Sequence, residues 1–151
     1  GIEYVNAYIL GEHGDSQVPI WSAANIGGVP IDDYVAQTGK ILDKETISQR
    51  TRDGGAEVIR LKGATFYGIA MSVSNIVERI MKDEKAILPV AHVLGEEFGS
   101  WAGVAISMPC VVGWNGIEKT LRLPMTDEEK QAMENSVKTL QDFQKSVNNL
   151  I

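Results

Sequence analysis

Two histidines and one cysteine are the side chains of this 151-residue chain that titrate nearest neutral pH. His13 lies in Gly11-Glu12-His13-Gly14-Asp15-Ser16, a polar loop after the strand-like run from Ile2 to Leu10. Glycines on either side let the backbone come close to a ligand, and an imidazole held there can donate or accept a proton. A loop histidine also serves as a plain hydrogen-bonding group, and residue chemistry alone leaves both roles open. His92, in Val90-Ala91-His92-Val93-Leu94, reads as a surface or hydrogen-bonded structural residue. Cys110, inside Met108-Pro109-Cys110-Val111-Val112, reads as a small buried hydrophobe.

Rival chemistries fail on spacing. His13, Asp15 and Ser16 are the residue types of a hydrolytic triad, but they stand too close in sequence to converge as nucleophile, base and orienter. No His-x-x-x-His or Cys-x-x-Cys exists to start a metal site, so no metal is expected. There is no Gly-x-Gly either, hence no dinucleotide or kinase glycine loop, and no Walker sequence. With 14 Lys+Arg against 20 Asp+Glu, interspersed, the net charge of -6 suggests neither a nucleic-acid nor a membrane surface. Apolar stretches are broken by Pro89, Gly95, Pro109 and Gly113, far short of a membrane span. A single cysteine allows no intrachain disulfide and fits a reducing cytoplasm.

The elements that must hold these groups follow from periodicity and punctuation. Residues 2–10 alternate as one strand, Gln17 to Asn25 reads as a short helix, and Gly27-Gly28 is a turn. Asp43 caps a helix through Ile47, Ala56, Ile59 and Leu61 to Gly63, which Gly54 and Gly55 interrupt. From Thr65 the apolar positions Ile69, Val73, Ile76, Val77, Ile80 and Met81 predict a second long helix with a substantial buried face. Ala86 to Leu94 and Val104 to Val112 read as buried strands, and Trp114-Asn115-Gly116 starts a hairpin strand from Ile117 to Leu123. Thr126 and Glu129 form a capping box that opens a C-terminal helix with Met133, Val137, Leu140, Phe143 and Val147 on one face. Strands and helices are segregated, so the fold expected is a single α+β domain, antiparallel strands packed with long helices.

Ala7-Tyr8-Ile9-Leu10-Gly11-Glu12-His13-Gly14-Asp15-Ser16 and the following Val18-Pro19-Ile20-Trp21-Ser22 resemble the active-site histidine segment of the L-lactate and L-2-hydroxy-acid dehydrogenases. Leu61-Lys62-Gly63-Ala64-Thr65-Phe66-Tyr67-Gly68-Ile69-Ala70 resembles a second signature of that family. Glu84 to Val90 and the hairpin at Asn115-Gly116-Ile117 agree in the same order. The resemblance covers nearly the whole chain and corresponds to the family's C-terminal substrate domain.

What the resemblance implies can be written residue by residue. His13 matches the proton donor of 2-oxo-acid reduction, and the base of the reverse reaction. Thr65 matches the pocket threonine that helps hold substrate, with a helix N-cap as its ordinary alternative. Ile69 matches the apolar residue packed on the nicotinamide of NAD, with a core contact as the alternative. Gly54-Gly55 matches a pair that is commonly two alanines facing the substrate methyl, so glycines widen the pocket for 2-oxo acids larger than pyruvate; a kink or close helix packing is the structural alternative. The family spaces its aspartate and carboxylate-clamping arginine as Asp-x-x-Arg, which occurs nowhere here. An NAD-binding domain, the expected partner, is also absent from the sequence, which opens at Gly1 as though entered partway. The isolated chain is therefore expected to be inactive, and the full-length protein a cytoplasmic homo-oligomer. A malate-type dehydrogenase fragment or a non-catalytic folding and assembly module are the competing expectations.

Overall fold

The computed structural model describes residues 1–148. A 3₁₀ turn at Ile2–Tyr4 leads into β1 (Val5–Asn6), β2 (Ile9–Leu10) and β3 (Val18–Pro19). A second 3₁₀ turn, Trp21–Ala23, precedes β4 (Asn25–Ile26), β5 (Val29–Pro30), α1 (Ile31–Thr38), α2 (Lys44–Lys62) and α3 (Tyr67–Met81). Then come β6 (Ala86–Val93), β7 (Ala105–Gly113), β8 (Gly116–Thr120) and α4 (Asp127–Asn148). All strand pairs are antiparallel: β1-β4-β5, β2-β3, and the largest sheet β6-β7-β8. The α+β architecture expected from the segregated pattern is the one observed.

The single strand expected over residues 2–10 is two short strands in different sheets. Alternation reports which side chains are apolar, whereas a strand exists only where a ladder partner does. Val5 and Asn6 pair with Ile26 and Asn25, while Ile9 and Leu10 pair with Pro19 and Val18. The helix expected over Gln17 to Asn25 shrinks to the 3₁₀ turn, because Val18–Pro19 is taken up in pairing with β2.

Helix α2 begins as expected: Asp43 accepts from the Thr46 N–H at 2.9 Å. These hydrogen bonds, the backbone N–H first and then the Thr46 hydroxyl, hold the Asp43 carboxyl below its ordinary pKa. Gly54 and Gly55 do not interrupt the helix, which is continuous over its 19 residues. Each glycine costs about 1 kcal/mol relative to alanine without breaking the hydrogen-bond ladder.

The core lies between the β6-β7-β8 sheet, β2, β3 and α4. Leu10, Ile20, Leu94, Ile106, Met108, Cys110 and Met133 are its fully buried members. β7 is buried along most of its length, but β6 is not the buried strand expected: it alternates, with Leu88, Val90 and His92 half-buried and Ile87 and Val93 exposed. β8 ends at Thr120, three residues before the expected Leu123, and is offset by a bulge at Val111/Val112.

Helix α4 enters through the reciprocal capping box: the Glu129 N–H donates to Thr126 Oγ1 at 3.2 Å, and the Thr126 N–H donates to Glu129 Oε2 at 2.9 Å. Glu129 also accepts from the Ser22 N–H at 3.0 Å and from the Ser22 hydroxyl, fastening the helix start to the Trp21–Ala23 turn. Partial burial pushes the Glu129 carboxyl upward, but the hydrogen bonds from Ser22, Thr126 and Trp21 outweigh it and hold the group below its ordinary value. Met133 and Val137 are buried and Leu140 half-buried, but Phe143 and Val147 are exposed, because the apolar stripe outruns the sheet beneath it.

The largest departure from expectation is α3, whose apolar face is not covered. Ile69, Val73, Val77 and Met81 are each more than half exposed, while Ile80 is packed against the core. Periodicity predicts that a face is apolar, but among the described residues nothing packs over Ile69, Val73, Val77 and Met81 closely enough to bury them.

Two stability outcomes follow. Met133→Ala should cost about 2–5 kcal/mol in chemical denaturation, whereas Phe143→Ala should stay within about 0.5 kcal/mol of wild type. For Glu129, a folded-state pKa below the unfolded one contributes stability that is present above the unfolded value and lost as pH falls through the folded value. The deficit of Glu129→Gln should therefore narrow once denaturation is measured below the ordinary glutamate range, about pH 4.3.

Candidate active site

The His13 loop is built from a strand end, a glycine and a helix. β2 ends at the buried Leu10, and Gly11, with φ of +89°, makes an isolated antiparallel bridge to Ser107 on β7. A Cβ on Gly11 would stand 2.6 Å from Ser136 Oγ of α4, so only glycine permits both this conformation and this approach. The Glu12 N–H donates to Ser136 Oγ at 2.7 Å. The Glu12 carboxylate turns back to accept from the Ser16 N–H at 3.3 Å and from the Ser16 hydroxyl. Ser16 Oγ lies 3.2 Å from Ser136 Oγ, and the Gln17 N–H donates to the Gly14 carbonyl at 3.3 Å.

His13 itself is exposed and, among the described residues, its side chain makes no hydrogen bond. Its surroundings are pinned while its ring is free to meet a ligand. Ser16 spends its hydroxyl on Glu12 rather than on His13, which agrees with setting the triad aside. His92 has the structural role expected. Its Nε2 lies 2.8 Å from Thr120 Oγ1 and its Nδ1 3.2 Å from the Val90 carbonyl. Burial pushes the Cys110 thiol pKa up, against the opposing effect of hydrogen bonding with Thr120 and Val90, and the residue is buried as expected.

The other expected residues lie on α2 and at its junction with α3. Gly63 ends α2 in the left-handed conformation, φ +80°, with its N–H donating to the Ile59 carbonyl at 2.7 Å. Thr65 follows, half-buried, lining an open groove of about 550 Å³ with Val58, Lys62, Phe66 and Tyr67. The cap of α3 is Phe66, without a side-chain hydrogen bond, so Thr65 is not the N-cap. Ile69 is 60% exposed and makes no core contact, so that alternative also falls. Around Gly54 and Gly55 an added Cβ would meet open space, so neither close packing nor a break in the helix accounts for them here.

No hydrogen bond joins His13 to Thr65, Ile69, Gly54 or Gly55 among the described residues. What relates the two groups is the docking of the first turns of α2. Ile47, Ser48 and Thr51 line a cavity of about 240 Å³ with Tyr8, Pro19 and Trp21, and the Trp21 indole N–H donates to Ser48 Oγ at 3.1 Å. The sequence reading missed Ser136, Ser48 and the turned-back Glu12. Ser136 did leave a trace: a polar residue at helical spacing inside the apolar stripe of Met133, Val137 and Leu140. Among the described residues, no group of three or more His, Cys, Asp or Glu is placed to hold a metal ion, and no helix is long and apolar enough to cross a membrane.

The site is thus a hydrogen-bonded loop presenting an exposed histidine, on an antiparallel α+β domain whose α2 and α3 leave an apolar face uncovered. The lactate/malate dehydrogenase, alpha/beta C-terminal domain family matches residues 2–150, and the chain belongs to it. It is 39% identical over 143 residues to the L-lactate dehydrogenase of Moorella thermoacetica, covering 92% of this chain and 45% of that protein. It is 41% identical over 146 residues to the L-lactate dehydrogenase of Acetivibrio thermocellus, covering 95% and 46%. Among solved structures, the minor L-lactate dehydrogenase of Enterococcus mundtii, in a ligands-bound form, superposes with a TM-score of 0.88 at 35% identity, over 97% of this chain and 47% of that one. MGS-M5, a lactate dehydrogenase from a deep-sea metagenome library of the Medee basin, gives 0.87 at 33% identity, over 94% and 46%. The chain thus spans less than half the length of these relatives, and the resemblance seen in its motifs extends across its fold.

Proposed function

We propose that this chain is the substrate domain of an NAD-dependent L-2-hydroxy-acid dehydrogenase, most simply one that interconverts pyruvate and L-lactate. The observation that carries the proposal is the His13 loop: Glu12 and Ser16 are engaged with each other and with Ser136, while the imidazole between them makes no hydrogen bond among the described residues. In reduction of a 2-oxo acid, negative charge develops on the carbonyl oxygen. A protonated His13 beside it stabilises that charge and hands over the proton that completes the hydroxyl; in the oxidation direction the neutral ring takes it back. The Thr65 hydroxyl, half-buried and without a partner among the described residues, is available to a substrate oxygen.

The chain offers a nicotinamide one fitting surface and no more. The exposed Ile69, beside Phe66 and Tyr67, suits the flat apolar face of the ring. With no Gly-x-Gly turn, the chain has no glycine-loop cradle for the dinucleotide's phosphates, so that part of the binding belongs to another domain. When bound, NADH supplies the hydride. The uncovered faces of α2 and α3, including Leu61, Ile69, Met71 and Val77, form an apolar surface of the kind buried between domains and fit such a partner. The carboxylate clamp, absent from this sequence, belongs to the same partner.

Assayed with pyruvate and NADH, the 151-residue chain should show no turnover, since a proton donor without hydride source and clamp cannot position the reaction. In the full-length enzyme, His13→Ala should lower kcat by roughly two to four orders of magnitude, and a near-normal kcat would return His13 to a structural role. The open space at Gly54 and Gly55 supports a widened pocket. The full-length enzyme should accept 2-oxobutyrate or 2-oxoisocaproate, and joint Gly54→Ala and Gly55→Ala substitution should shift the kcat/KM ratio toward pyruvate by roughly tenfold or more.

A further inference from the structure

We infer that Ser136, on α4 and 124 residues from Glu12, is a positioning residue for His13, acting through a closed ring of hydrogen bonds. This rests on the reading of His13 as the proton donor. The ring's direction follows from what each group can do. The Glu12 N–H can only donate, so Ser136 Oγ accepts from it at 2.7 Å. The Glu12 carboxylate can only accept, so the Ser16 hydroxyl hydrogen is committed to Oε2. Between Ser136 Oγ and Ser16 Oγ, 3.2 Å apart, the donor is then Ser136. Each hydroxyl donates once and accepts once, and the circuit closes.

The ring ties the two ends of the segment Glu12 to Ser16 to each other and to α4, and His13 lies inside that segment. Ser136 is completely buried, and Gly11 presses on it so closely that a Cβ would collide with its Oγ at 2.6 Å. Water cannot take over the hydroxyl's part unless α4 lifts from the loop. Glu12, Ser16 and Ser136 are joined in the ring to one another, and among the described residues the histidine side chain makes no hydrogen bond. Its position is thus set by the backbone that the ring holds. A displacement of about 1 Å at a proton-transfer group is enough to cost up to a hundredfold in rate.

The test is made in the full-length enzyme that carries this domain, with kcat measured at saturating substrate and cofactor on folded, active-site-titrated protein. Ser136→Ala and Ser16→Ala should each lower kcat by about tenfold. The double variant should be no slower than either, because a ring is broken once, and Ser16→Thr, which keeps the hydroxyl, should stay near wild type. A loss of thermal stability with kcat within about twofold of wild type would overturn the proposal, as would losses that multiply to about a hundredfold in the double variant. If Ser136→Ala does not fold, the comparison of Ser16→Ala with Ser16→Thr decides, and equal kcat values for those two reject the ring. Two further readouts separate this proposal from the one beneath it. His13→Ala retaining activity removes the proton-donor role whatever Ser136 does. Independently of turnover, the Glu12 amide should exchange its hydrogen at least about tenfold faster in Ser136→Ala, and unchanged exchange rejects the clamp.

Discussion

The seating of α4 against the strand pair β2–β3 is the contact on which the rest of the domain depends. Met133 and Val137 supply the apolar part, the capping box and Ser22 fasten the entry, and Ser136 supplies a fully buried polar side chain. A hydroxyl in an apolar stripe is costly unless fully satisfied. Here satisfaction comes from the backbone of Glu12 and the side chain of Ser16, so the histidine loop and the last helix stabilise each other. Gly11 is the condition for that contact, since both its left-handed φ and the space its missing Cβ leaves are used.

Helices α2 and α3 have a second character. α2 and α3 together carry Val58, Ile59, Leu61, Phe66, Tyr67, Ile69, Val73 and Met81 to the surface, with Ile80 turned to the core. Globular cores close over such faces when the chain can supply a cover. The Gly63 cap turns the chain so that this face stands next to Thr65, which places the proposed substrate threonine at the edge of the uncovered surface rather than inside the domain.

Much of the candidate site is legible as residue types. His13 between glycines, Thr65 after Gly63 and the glycine pair in α2 are local patterns, and local patterns survive any tertiary arrangement. The cap at Asp43 and the box at Thr126 and Glu129 were readable for the same reason: the groups they satisfy lie within one helical turn. Burial of Cys110 and the structural engagement of His92 were also readable, because an apolar neighbourhood in a strand implies both.

Sequence by itself determined the three long helices, the strands that became β6, β7 and β8, the α+β class and, through two separated motifs in order, the family, but it left out helix α1 and misread Gln17 to Asn25 as a helix. Tertiary structure alone decided that residues 2–10 divide between two sheets, that β6 is buried on one side only, that α3 lies uncovered, and that Ser136 closes a ring around the histidine loop. The physical reason is range. Capping, helical periodicity and glycine turns are settled by groups a few residues apart, whereas a ladder partner, a covering surface or a buried hydroxyl's hydrogen-bond partner comes from anywhere in the chain, and Ser136 accepts from the Glu12 N–H 124 residues away.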